Sequence, residues 1–203
     1  KHEEDTREDS ALSMAVEKLL SAKMLLFQAT HSAGGDRSLK RIPHSQEKGE
    51  VGDLSKEGLT EAKSFLDQSI KAWWELGELE WLIQGFFTRA MVCRILQCFS
   101  EAAADLEELR ELTELGGMPI YLADYHLEFA RLIYTEFASE QGKFPSDAAG
   151  EEFHQQMHDH VEVAEALIWR TGYHLRDQEL EDAMTLLKDA IPIENVEDDE
   201  DDA

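Results

Sequence analysis

The sequence predicts an all-α protein, and three observations carry that prediction. The stretch from Trp73 to Tyr134 is nearly a duplication of itself. At an offset of about 40 residues Gly77 falls on Gly117, Trp81 on Tyr121, Leu82 on Leu122, Phe87 on Leu127, Ala90 on Ala130 and Val92 on Leu132. Apolar residues elsewhere recur at three- and four-residue steps, the period of a helix with one buried stripe. No segment alternates apolar with polar as a half-buried strand does. A self-match of this length in helical sequence marks a helix-pair repeat, an architecture that usually holds other macromolecules and does no chemistry of its own.

The elements follow in order. Residues 1–9 are polar and charged and are expected to be disordered. Ser10 can cap a first helix to about Thr30, with Leu12, Val16, Leu19, Leu20, Met24 and Phe27 as its buried stripe. Residues 31–56 break the period with Gly34, Gly35, Pro43, Gly49 and Gly52 and read as a flexible loop. This loop is locally basic, with Arg37, Lys40, Arg41, His44 and Lys48. A second helix runs from Leu59 to Leu76, and Gly77 ends it. The third, about Leu79 to Cys98, is apolar nearly all round and should be the most buried element. Ser100 caps a fourth, Glu101 to Leu115, which Gly116-Gly117 terminates. Pro119 suits the first turn of a fifth helix reaching about Phe137. A loop over Gln141 to Pro145 leads to a sixth helix, from Ser146 or Asp147 to Arg170, and Gly172 caps it. A short seventh opens at Asp177 and ends near Asp189, before Pro192. Residues 191–203 form an acidic tail that should stay solvated and disordered. Short connections between most helices imply antiparallel neighbours.

The charge balance narrows the partners. With 44 acidic against 19 basic residues the formal net charge is −25, which repels phosphate backbones and anionic lipid. Neither a nucleic acid nor a membrane is expected as a partner, and a basic protein surface is favoured. No apolar run reaches the roughly 18 residues that cross a bilayer. Lys1 to Asp5 does not read as a targeting segment. The chain begins without Met, which fits a processed product or part of a larger multidomain protein or complex. Cys93 and Cys98, five residues apart in an apolar segment, read as small buried hydrophobes of a reducing, cytoplasmic compartment.

Ala90, an aromatic at Phe99, Ala102 and then Leu106 reproduce the spacing of a tetratricopeptide repeat, and about two-thirds of the chain, 58–190, resembles that family. The resemblance implies a right-handed superhelix of about three antiparallel helix pairs plus a capping helix, spanning residues 10–190. Ala90 and Ala102 would be the small residues that let two helix backbones approach. Ala130, Ala62 and Ala183 would fill the corresponding places in neighbouring repeats. The phrases Gly117 to Leu127 and Thr171 to Leu180 are similar to the last repeats of bacterial STAND-type signalling NTPases. That similarity implies a place in a bacterial signalling or defence assembly. The chain departs from the family pattern at Phe86 and Ala90, where a Trp and a Gly are usual, and it has no phosphate-binding Gly-Lys-Ser/Thr.

On this reading the first helix of each pair lines a concave groove that takes a protein or peptide partner without a cofactor. The groove-facing residues would be Gln84, Phe87, Met91 and Arg94 on one helix and Asp124, Leu127, Arg131 and Tyr134 on the next. Aromatics, a methionine and isolated polar groups suit a helix or an extended peptide. Arg94 and Arg131 would either clamp a partner carboxylate or pair with a neighbour such as Glu128 or Glu136. The alternative is a metal-dependent helical-bundle enzyme using His154 and His158, one helical turn apart, with nearby carboxylates. A solvated polar face explains the same residues. No His-Glu-x-x-His element, no Gly-x-Ser-x-Gly and no second Glu-x-x-His accompany them, so no catalytic residue and no metal ligand is assigned.

Overall fold

The computed structural model describes residues 2–32, 53–141 and 148–190, and among them there is no strand. The helices are α1 (His2–Ser32), α2 (Asp53–Leu76), α3 (Leu79–Ile95), α4 (Phe99–Gly116), α5 (Pro119–Gln141), α6 (Ala148–Thr171) and α7 (Asp177–Asp189). A single 3-10 turn, His174–Arg176, leads into α7. The protein is therefore all-α.

Several boundaries depart from expectation. Helix α1 starts at His2, so the segment expected to be disordered up to residue 9 is helical. Glu and Arg are good helix formers, and acidic residues near a helix N-terminus complement its dipole. Helix α2 starts at Asp53, six residues before Leu59. The expected loop at 31–56 is thus shortened at both ends, and its remainder, 33–52, lies outside the described residues, as does the tail at 191–203.

One corner is used four times. Gly77, Gln97, Gly117 and Gly172 have φ of 72°, 62°, 62° and 70°, the left-handed conformation that ends a helix. At each, the next residue's N–H reaches back to a carbonyl five positions earlier: Glu78 to Trp73 at 3.0 Å, Cys98 to Cys93 at 2.8 Å, Met118 to Thr113 at 3.0 Å and Tyr173 to Ile168 at 3.1 Å. Gln97 is the one non-glycine of the four, and it ends α3 at Ile95, short of the expected Cys98. The first three turns leave two or three residues between helices, so α3, α4 and α5 each fold back on the helix before, while Gly172 leads to α7 through the 3-10 turn.

Packing follows that connectivity. Every helix from α1 to α6 packs on its successor, and α1, α3 and α5 each also touch the next odd-numbered helix. Ala62, Ala90, Ala102, Ala130 and Ala183 are all 0% exposed. Gly85 serves the same close approach, because a Cβ there would lie 2.8 Å from Ile70 Cγ1 and 2.9 Å from the Trp73 ring. Trp73 is fully buried and stacks on Trp81 at 5.9 Å, whereas Trp74 is exposed. Arg89 on α3 joins three helices, with two bonds to the buried Asp105 on α4 (2.8 and 2.6 Å) and one to Asp67 on α2 (2.7 Å). Cys93 is buried, and burial pushes its thiol up to about 12, which makes it chemically quiet.

The buried side chains form two groups. One draws on α1 to α4 and includes Trp73, Ile83 and Leu106, reaching Tyr125 and Leu132 on α5. The other draws on α5, α6 and α7 and includes Leu127, Tyr134, Met157 and Ile168. The expected stripe on α1 needs correction. The residues it buries are Ala15, Leu19, Ala22 and Leu26, while Leu20, Met24 and Phe27 are exposed. This helix carries more apolar residues than one face can hold, and α2 covers only the Ala15–Leu26 side.

Candidate binding groove

The exposed side of α1 borders a groove of about 690 Å³. Lys23, Leu26 and Phe27 of α1 form one wall, and Glu80, Gln84, Phe87, Thr88 and Met91 of α3 form the floor with Leu109 of α4. Ile120, Tyr121 and Asp124 of α5 form the far wall, and Tyr173 and Arg176 close the end. The α3 residues recur at helical steps, and α3 touches α1 and α5 as well as α2 and α4.

Polar groups cross the groove in an ordered chain. Lys23 Nζ donates to Gln84 Oε1 at 2.8 Å, Gln84 Nε2 donates to Tyr121 Oη at 3.5 Å, and Tyr121 donates to Glu80 Oε1 at 2.8 Å. Burial lowers the Lys23 ammonium below its ordinary value, and the Arg176 charge adds to that. Burial likewise raises the Tyr121 phenol. At the closed end Arg176 grips Asp124 with two bonds and reaches Glu179 Oε1 at 2.8 Å. Burial holds the Asp124 carboxyl above the usual carboxylate range although Arg176 pulls the other way. For Arg176, burial would lower the guanidinium, and its bonds to Asp124 outweigh that and raise it. The groove therefore has Phe87 and Met91 on its floor and Ile120 on its far wall as apolar lining, with its polar groups hydrogen-bonded to one another.

Of the eight residues expected to face a groove, Gln84, Phe87, Met91 and Asp124 line this one. The other four do not. Leu127 and Tyr134 are core residues, 2% and 1% exposed. Arg94 and Arg131 converge on Glu128, itself 1% exposed: Arg94 Nε is 2.6 Å from Oε1 and Arg131 Nη1 is 3.7 Å from Oε2. Arg131 also points Nη2 at the Glu179 carbonyl, 3.5 Å away. On α5, Leu127 and Tyr134 pack into the core shared with α6 and α7, and Arg131 reaches α7 at the Glu179 carbonyl. Sequence reasoning missed the α1 wall and the Tyr173–Arg176 end. The surplus of apolar residues on α1 was the available sign of the first, and nothing local to Arg176 marks the second.

The histidines of α6 do not assemble as the alternative reading requires. His158, Asp159 and Glu162 have ligand atoms within 4.8 Å of one another, and all three are exposed. His154 is outside that group, and its Nε2 is buried without a hydrogen-bond partner. Among the described residues no helix is long and apolar enough to cross a membrane. No family model matches this chain, and no significant match was found among curated proteins or solved structures.

Proposed function

We propose that the chain is a non-enzymatic interaction module, a tetratricopeptide-like right-handed superhelix of three helix pairs (α1–α2, α3–α4, α5–α6) capped by α7, which binds a peptide or protein in the groove. The observation that carries this reading is the apolar groove framed by α1, α3 and α5, the first helices of the three pairs. The mutual contacts of the odd-numbered helices support the superhelix, since stacked hairpins bring first helices together on one side. Phe87, Met91 and Ile120 offer a soft, adaptable surface for apolar side chains. The net charge of −25 favours a partner whose remaining surface is basic. The similarity to STAND-type proteins is what suggests a bacterial signalling or defence assembly.

Peptide display tests the reading. Peptides selected on the wild-type chain are measured against Ile120→Glu. Ile120 lines the groove yet is 40% exposed, so the new carboxylate meets the ligand without disrupting the core. A loss of at least about tenfold in affinity, with the melting temperature unchanged, is expected. Selected peptides that bind Ile120→Glu and wild type equally would place their site elsewhere and end the groove reading.

A further inference from the structure

His126 on α5 and His160 on α6 face each other through their Nδ1 atoms, 3.0 Å apart, with ring centroids separated by 5.0 Å. His160 lies flat on Phe129, centroids 4.6 Å apart and planes 1° apart. His126 meets Tyr125 edge-on at 4.7 Å. A hydrogen bond between two Nδ1 atoms needs a proton on one and a lone pair on the other. The neutral pair therefore holds one ring protonated at Nδ1 and its partner protonated at Nε2. The groups that face it are Glu107 and Arg110 on α4, Tyr125 on α5 and Asp159 on α6. Glu107 is itself engaged, accepting from Arg110 Nε and from the Tyr125 hydroxyl at 3.0 Å each. Among the described residues neither imidazole is hydrogen-bonded to a carboxylate.

We propose that the His126–His160 pair is a proton-operated seam that holds α5 to α6 at neutral pH and releases them on acidification. A first added proton leaves one N–H facing one lone pair, so the bond survives with a charge on it. A second sets N–H against N–H at a separation of 3.0 Å and places two positive rings side by side, so the contact becomes repulsive. Burial, the His160 charge and Arg110 together lower His126 to about 4. Burial lowers His160 too, against the opposing pull of Asp159 and Glu107. For a base lowered by folding, the stabilisation is complete above the unfolded imidazole value of about 6.5. It is lost as pH falls from there toward the folded values, because the open chain takes up protons first. Helix α5 also carries Ile120, Tyr121 and Asp124, so release of the seam loosens one wall of the groove.

Native-state hydrogen exchange on the full chain tests this. Between pH 7 and pH 4.5 the open population of α5 and α6 should rise about 50- to 100-fold after correction for intrinsic rates, and that of α2 and α3 far less. In the double variant His126→Gln/His160→Gln, whose amides bond without titrating, that excess should vanish. The same acid-dependent rise in the variant would overturn the proposal. Should the variant not fold, side-chain ¹⁵N spectra of the wild type decide. One Nδ1–H and one Nε2–H ring at pH 7 support the seam, and two Nε2–H rings titrating independently near the ordinary imidazole value refute it.

Discussion

Arg176 holds Asp124 across 52 positions of chain, Nε to Oδ1 at 2.6 Å and Nη2 to Oδ2 at 3.1 Å. Asp124 is 5% exposed, so this fork is what satisfies an otherwise buried carboxylate and what ties the turn before α7 to α5. Arg176→Ala is expected to cost about 2–3 kcal/mol, less than a fully buried pair because Arg176 is partly solvated. Urea unfolding measures the loss, and exchange protection in α7 should fall before that in α3. Unchanged stability would mean that the fork does not persist in solution.

Glu128 makes a second, more deeply buried junction. Removing Arg94 leaves that carboxylate, 1% exposed, facing Arg131 alone at 3.7 Å. Arg94→Ala should therefore destabilise by about 3 kcal/mol. Arg94→Met combined with Glu128→Leu should recover part of that, since the buried carboxylate is gone and Arg131, 13% exposed, keeps only the Glu179 carbonyl at 3.5 Å. A double variant no more stable than the single one would contradict this account.

Gln97 occupies the same left-handed corner as Gly77, Gly117 and Gly172, with φ of 62°. A side chain there strains the backbone, and Gln97 is exposed, so its own contacts offset little. Gln97→Gly should raise stability by about 1 kcal/mol, or the melting temperature by about 2–4 °C. A calorimetric scan that shows no gain, or a loss, would show that the turn is not strained.

Gly85 presents the opposite case. Alanine is the better helix former by about 1 kcal/mol, yet its Cβ would strike Ile70 and the ring of Trp73, both buried. Trp73 is 0% exposed and cannot swing away. Gly85→Ala should cost about 1–3 kcal/mol net, read from the shift in unfolding midpoint. A stabilised variant would show that the α2–α3 contact has room to relax.

The helical class and most corners were legible because glycine is needed wherever φ turns positive, and Gly77, Gly117 and Gly172 stand where the period breaks. Gln97 hid the fourth corner, because glutamine gives no such signal. The small residues at Ala62, Ala90, Ala102, Ala130 and Ala183 were expected from the resemblance to tetratricopeptide repeats, and all five are fully buried. The groove was half legible. Gln84, Phe87 and Met91 follow from the α3 period, but the α5 stripe could not be placed without knowing that α6 and α7 pack on α5 and take Leu127 and Tyr134 into their core. Amphipathic spacing says which residues share a face and not which neighbour covers it, and the same limit misassigned Leu20, Met24 and Phe27 of α1. The His126–His160 contact joins two helices whose register no local pattern sets, so sequence reading saw only the histidines of α6.

The two buried groups of side chains meet at Leu122 and Phe129, the partly buried residues that pack against both. Mechanical load or a denaturant would be transmitted from one half to the other through α5, whose Tyr125 and Leu132 belong to the first group and whose Leu127 and Tyr134 belong to the second. A helix that belongs to both cores ties their melting together, so damage to α5 should be felt in the leading and the trailing helices alike.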